Sequence, residues 1–185
     1  MLPAAFSCSP HLWPFRLIAG ALLAVSVYSA ASVARADEYT DVNRLTSKGE
    51  WALALSKADA HLAAKPRDPQ MRFLRGVILS ETGRANQAEE VFTLLTQEYP
   101  ELPEPYNNLA VLLAARQQLD QARAALEMAL RNDPAYATAH ENLGDVLVQL
   151  AARSYAKALQ IDPSRQRLQP KLGLARQMSS ITDKP

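Results

Sequence analysis

The sequence predicts an all-α protein, an α-solenoid in which antiparallel helix pairs stack on one another. The first observation is a period of 34 residues that runs through most of the chain. The second is that each period carries two apolar stripes with i, i+3, i+4 spacing, which is the pattern of amphipathic helices. The third is a proline after the second stripe, where a helix must stop. One helix pair cannot bury both of its faces, so neighbouring pairs must share a core.

Several residue types show the 34-residue period at once. The recurring positions are Pro66, Pro100 and Pro134; Ala54, Ala88 and Ala122; and Leu45, Leu79, Leu113 and Leu147. Gly49 and Gly83 are also 34 residues apart and lie between the two stripes of a period, where a turn is needed. Four residue types that recur in phase indicate a true internal repeat.

Composition and charge exclude several other classes of protein. With 48% apolar and 21% charged residues the chain is globular, and its 6% aromatic residues and six glycines disfavour a β-sandwich or barrel. Lys and Arg number 20 against 19 Asp and Glu, so the net charge of +1 argues against nucleic-acid binding through a general basic field. The single cysteine excludes a disulfide framework and a cysteine-rich metal site.

The first 36 residues have the layout of a secretory signal peptide. Arg16 precedes an uncharged apolar run, and Ala34-Arg35-Ala36 supplies the small residues of a cleavage site. The first acidic residue of the whole chain is Asp37. We therefore expect cleavage after Ala36, a periplasmic location and no membrane contact afterwards. An uncleaved N-terminal anchor that faces the periplasm is the alternative.

The repeats resemble the tetratricopeptide repeat (TPR) family. The best unit is 106–134, YNNLAVLLAARQQLDQARAALEMALRNDP, in which the family's W-L-G-Y…A…F…A…P positions are taken by Tyr106, Leu109, Ala110, Leu113, Ala122, Leu126, Ala129 and Pro134. The resemblance implies a right-handed superhelix of antiparallel helix pairs. It also implies a non-catalytic scaffold that binds a peptide or a helix of another protein in its concave groove, and we expect an adaptor of the bacterial envelope.

The predicted organisation is a signal peptide at 1–36 and a TPR domain at 37–185. The units of this domain are expected at about 39–66, 69–100, 103–134 and 137–163, followed by a capping helix with a polar outer face at about 169–179. The fourth unit lacks five residues, which are those of its turn.

The missing turn predicts that the fourth unit is a single continuous helix at about 138–161. Its stripe runs unbroken with steps of 4, 3, 4, 4, 3 and 4 residues through His140, Gly144, Leu147, Ala151, Tyr155, Ala158 and Asp162. The alternative is a tight turn near Ala151 and Ala152 that preserves a hairpin.

The resemblance also implies which residues line the groove, since the family's ligand-facing positions lie on the first helix of each unit. Carried over to this chain, the candidate partner-binding residues are Phe73, Val77, Asn107, Asn108, Val111, Glu141, Asn142 and Asp145. Asn side chains can bond an extended backbone through donor and acceptor, and an apolar strip offers surface to bury. The groove lacks the Lys and Arg set that clamps a C-terminal carboxylate in some TPR domains. These positions could equally be ordinary solvated faces.

No catalytic motif, cofactor site or metal site is expected from the sequence. His61 and His140 are interpreted as packing or helix-surface residues. Arg72 and Arg75 stand where the family has Trp and Leu, and we expect them to pair with acids such as Asp41 or Glu38, the alternative being an exposed basic spot for an anionic partner.

Two further readings of the chain stay open. One is an enzyme that uses Glu141 and Asp145, which are four residues apart on one helix face. The other is a structural subunit that acts through oligomerisation. The far half of the long helix carries Tyr155, Leu159 and Ile161, which must be covered by the tail or by a partner, so self-association through these residues is the second candidate for an interaction surface.

The signal layout makes a testable prediction about the mature chain. N-terminal sequencing of the protein from a periplasmic fraction is expected to begin at Asp37, because Ala34 and Ala36 provide the small residues that signal peptidase requires. A full-length form that stays in the membrane would instead show an anchor.

Overall fold

The computed structural model describes residues 38–182, and the predicted signal peptide at 1–36 lies outside them. All the regular structure in this part is helical. The helices are α1 at 38–47, α2 at Trp51–Ala64, α3 at Pro69–Glu81, α4 at Ala85–Glu98, α5 at Pro103–Ala115, α6 at Leu119–Asn132, α7 at Ala137–Ile161 and α8 at Gln169–Thr182, with a short 3₁₀-helix at Gln166–Leu168 before α8. Residues 42–182 pack as one unit.

The first three turns between paired helices are built in the same way. Glu50, Arg84 and Gln118 each donate a backbone N–H to a carbonyl five residues earlier, on Leu45, Leu79 and Leu113, at 2.9 Å. The residue before each donor has positive φ, namely Gly49 at 72°, Gly83 at 73° and Gln117 at 61°. This left-handed residue ends the first helix and turns the following N–H back to bond one of its last carbonyls, a role that glycine fills most easily.

The stack is held together where consecutive helices approach closely at small residues. Contacts join α3 to α4 and α5 to α6 within a unit, and α2 to α3, α4 to α5 and α6 to α7 between units. The recurrent Ala54, Ala88 and Ala122 are all fully buried. A Cβ placed on Gly76 of α3 would lie 2.6 Å from Cε1 of Phe92 on α4, so only glycine allows this approach. The predicted all-α solenoid of stacked helix pairs is confirmed.

The fourth unit is one continuous helix, α7, of 25 residues, as the missing turn predicted. Ala151 is 34 residues after Gln117 and remains helical, so the alternative of a tight turn at Ala151 and Ala152 is wrong. At about 1.5 Å per residue the helix is about 37 Å long. In the half of α7 that follows the position of the missing turn, Nη2 of Arg153 donates to Oδ2 of Asp120 at 2.6 Å. This bond links α7 to the start of α6.

The predicted capping helix is also present, as α8, which packs against α7. Leu172 and Ala175 are its buried apolar residues, and the ammonium of Lys171 lies 5.9 Å from the ring centre of Tyr155. Its outer face departs from the polar surface expected of a cap, because Leu174 and Met178 are exposed. None of the helices in the described range is long and apolar enough to cross a membrane.

The repeat register predicts the cost of removing a core leucine. Leu113→Ala is expected to lower the free energy of unfolding by about 2–5 kcal/mol, since a buried side chain is lost and a cavity remains. Leu94→Ala on the exposed side of α4 is the matched control, with an expected change of about 0.5 kcal/mol. Urea denaturation followed by circular dichroism measures both changes, and equal costs would show that the register is wrong.

Candidate partner-binding groove

A cavity of about 630 Å³ lies between the third unit, the long helix α7 and the tail helix α8. Its walls combine small apolar residues of α5 with polar residues of α7 and α8. The lining residues are Ala110, Val111, Ala114, Ala115, Gln117, Leu119, Leu126, Asn142, Asp145, Val146, Gln149, Ala152, Arg153, Ala156, Arg176 and Ser179.

Three of the eight candidate residues line this cavity. Val111 leaves 47% of its surface exposed, which is unusual for a valine on a packed helix. Asn142 and Asp145 lie on the facing side, one turn apart on α7. The cavity wall therefore contains the exposed side chain of Val111 on α5 together with the amide of Asn142 and the carboxylate of Asp145 on α7.

Asn107 is not a lining residue but forms a bridge from the third unit to Asn142 of the fourth. It is buried, and its Oδ1 accepts a hydrogen bond of 2.8 Å from Nδ2 of Asn142. Asn142 is thereby held in place on the cavity wall. Asn108, one residue on, donates its side-chain amide to the carbonyl of Glu104 in its own helix at 3.0 Å.

Phe73 and Val77 lie apart from the cavity, on the second unit. Both are half-buried and pack against the core cluster around Phe92, and the Phe73 and Phe92 rings are 5.8 Å apart at 49°. Glu141 is exposed on α7 and is not among the lining residues. The eight candidate residues are thus not gathered into one site.

Sequence reasoning missed Arg153 and Arg176, which bring positive charge to the cavity. Asp145, Gln149 and Arg153 are spaced four residues apart and lie on one face of α7. Given a continuous helix, this spacing predicts that Arg153 lies on the same face as the other two. Arg176 comes from α8, and within residues 38–182 it forms no ion pair. No sequence signal could have shown which face of α8 turns toward the cavity.

The carboxyl group of Asp145 has a raised pKa. Partial burial in the cavity wall is the larger cause, and the charge of Glu141 one turn away adds to it. A raised pKa is the direction that the paired-carboxylate reading requires. Both causes also act on any acidic residue placed in a groove beside another acid, so the shift does not by itself favour catalysis.

The remaining polar residues singled out in the sequence have structural contacts. Arg72 forms two hydrogen bonds with Glu98, at 2.7 and 3.2 Å, and Arg75 donates to Asp59 at 2.7 Å. They thus pair with acids of α4 and α2, whereas Asp41 or Glu38 was expected.

The two histidines of the described range also have local contacts. His61 is buried, with Nε2 2.9 Å from Oδ2 of Asp68, the residue whose Oδ1 caps α3. Nε2 of His140 lies 3.0 Å from the carbonyl oxygen of Pro134.

The charge pair on α7 predicts a shift that NMR titration can measure. Glu141→Gln removes the neighbouring charge, so the pKa of Asp145 is expected to fall toward its ordinary value. Because the folded-state pKa is raised, ionised Asp145 destabilises the fold, and Asp145→Asn is expected to raise the unfolding midpoint at neutral pH but not below about pH 3. Glu90→Gln on α4 is the control, and an equal shift there would contradict the pairing.

Solved structures with the same helical arrangement are TPR domains. The first TPR of Spaghetti (RPAP3), bound to the HSP90 peptide SRMEEVD, matches with a TM-score of 0.58 and 19% identity over 62% of this chain and 90% of that one. The Sgt2 TPR domain from Aspergillus fumigatus matches with 0.60 and 16% identity over 64% and 80%. A thermophilic TPR protein of Thermus thermophilus matches with 0.55 and 21% identity over 75% and 97%. At these identities the likeness concerns the fold alone.

Family models agree with the structural comparison. No curated protein matches the sequence significantly. A model described as Tetratricopeptide repeat matches residues 42–103, and one described as TPR repeat matches residues 112–151. Together these two matches cover more than half of the 185 residues, and they coincide with the stacked helix pairs of the structure. The chain belongs to the tetratricopeptide repeat family.

Proposed function

We propose that this protein is a non-catalytic adaptor of the bacterial envelope that holds a segment of another protein in the cavity between α5, α7 and α8. The TPR fold itself supports protein–protein interaction, since TPR repeats are generally interaction modules. The observation that carries the proposal is the cavity of about 630 Å³, which places an exposed valine opposite polar groups on two other helices. Cavities of this size and mixed lining are typical of binding sites.

The lining residues define what kind of segment would bind. Val111, Ala114 and Ala115 form an apolar floor for one apolar side chain of the partner. Asn142 gives one amide hydrogen to Asn107 and keeps its carbonyl oxygen for a backbone N–H of the partner. The guanidinium of Arg176 would pair with a carboxylate. We therefore infer a segment with an apolar anchor and an acidic residue close to it.

The comparison with peptide-bound TPR structures supports a protein segment as the ligand. The first TPR of Spaghetti is bound to the peptide SRMEEVD, which contains apolar and acidic residues. In the present chain the positive charge beside the cavity comes from Arg176 and from Arg153, which Asp120 already engages. This arrangement suits an acidic side chain within the partner segment better than a C-terminal carboxylate, because binding a chain terminus requires a carboxylate clamp.

The envelope location rests on the sequence of the first 36 residues. The positive start, the apolar run and the small residues at Ala34 and Ala36 support export, and the lack of cysteine after Asp37 suits an oxidising compartment. The partner is accordingly proposed to be another exported or envelope protein.

Capture from the cavity tests the proposal. A photo-crosslinking residue at position 111 is expected to trap a partner in growing cells, whereas the same residue at Leu94, which is exposed on α4, is expected not to trap it. Binding of the identified segment to the purified protein is expected to weaken at least about tenfold with Val111→Glu, since the anchor would then meet a charge. Leu94→Glu is the control, and equal affinity of the Val111→Glu variant and the parent would place the site on another face.

A further inference from the structure

One face of α7 is left uncovered by the described part of the chain, although the same face is covered in the other units. Leu79, Leu113 and Leu147 occupy the same position of three consecutive units. Their exposed fractions are 1%, 7% and 47%. In the second and third units the second helix, α4 or α6, packs over this leucine, and in the fourth unit no helix within residues 38–182 takes its place.

The glycine one turn earlier shows the same difference. A Cβ on Gly76 would meet the Phe92 ring at 2.6 Å, and Ala110, its equivalent in the third unit, is fully buried. A Cβ on Gly144, the equivalent in the fourth unit, would have no neighbour within 4 Å among the described residues. The residue that allows a close helix approach is therefore present in the fourth unit, but the described part of the chain supplies no approaching helix.

The sequence of the missing helix is present on the far half of α7 itself. Ala151, Tyr155 and Ala158 stand where the second unit has Ala88, Phe92 and Leu95, counting the five absent turn residues. Within one chain these residues cannot reach Gly144, because Tyr155 lies 11 residues further along the same helix, about 16 Å away.

The tail helix does not cover Gly144 and Leu147 either. Its Arg176 and Ser179 line the cavity together with Asp145 and Gln149, which places α8 on the groove side of α7. Tyr155 and Leu159 are half-buried, and Tyr155 lies beneath Lys171 of α8, whereas Ile161 remains 73% exposed. The uncovered face is therefore centred on Gly144 and Leu147, and further along the same stripe Tyr155 is partly covered by Lys171 of α8.

We propose that this stripe binds the same stripe of a second copy of the chain. The two α7 helices would lie antiparallel around a two-fold axis near Ala151. The far half of each helix, from Tyr155 to Ala158, would cover Gly144 and Leu147 of the other copy. Each copy thereby covers the stripe of the other in an isologous contact, in which both copies use the same surface.

The spacing of the stripe favours a second copy over an unrelated partner. Steps of 4, 3, 4, 4, 3 and 4 residues from His140 to Asp162 read the same in both directions, so an antiparallel copy matches every position. In that arrangement Gly144 faces Ala158, Leu147 faces Tyr155 and His140 faces Asp162. A two-fold interface requires such self-complementarity, and it does not depend on what occupies the groove.

Solution mass with matched glycine variants tests the proposal. Sedimentation equilibrium of the purified chain is expected to give about twice the monomer mass. Gly144→Leu is expected to give a folded monomer, because the new side chain has room in one copy but fills the space that the second copy needs. Gly173→Leu on α8 also adds a side chain in open space and is expected to leave the dimer intact.

A crosslink at the axis supplies a second measurement. Ala151→Cys, in a chain whose one native cysteine is replaced by Cys8→Ser, is expected to form a disulfide-linked dimer under mild oxidation. Ala60→Cys on the exposed side of α2 is the control and is expected to stay unlinked. A monomeric parent at every concentration, a dimer that persists in the Gly144→Leu variant, or no crosslink through residue 151 would each overturn the proposal.

Discussion

The close approach of paired helices at small residues is the constraint on which the rest of this structure depends. Gly76 lets the ring of Phe92 rest against the backbone of α3, and Ala54, Ala88 and Ala122 are fully buried at the equivalent approaches of the second helices. Because each helix must lie within reach of the next, the left-handed residue that ends each first helix sets where the next one begins. Packing in the first three units follows from that turn, which the fourth unit lacks.

Loss of the turn changes both the groove and the outer surface of the fourth unit. Without it α7 runs on for 25 residues, and the tail must return along the side of α7 that faces the third unit. The tail thereby forms one wall of the cavity, which Arg176 and Asp145 both line. The same deletion leaves the Gly144 face without the helix that covers its equivalents.

The candidate groove was predictable only in part. The register of the repeat placed Val111, Asn142 and Asp145 on consecutive first helices, and the structure finds them around one cavity. The register could not show that Phe73 packs into the second unit, because the sequence pattern is the same whether the ring is exposed or half-buried next to Phe92. Nor could it show that Asn107 and Asn142 bond to each other, because that contact joins residues 35 positions apart in two units.

By itself the sequence determined the helical repeat, its register and the continuity of α7, because these follow from local properties such as periodicity, proline stops and the presence or absence of a turn. The tertiary structure alone decided which face of α8 meets α7, which charges reach the cavity and which face of the fourth unit stays uncovered. A helix such as α8, with apolar residues at both Leu172 and Leu174, has more than one side that can pack. Only the surrounding helices select one of them.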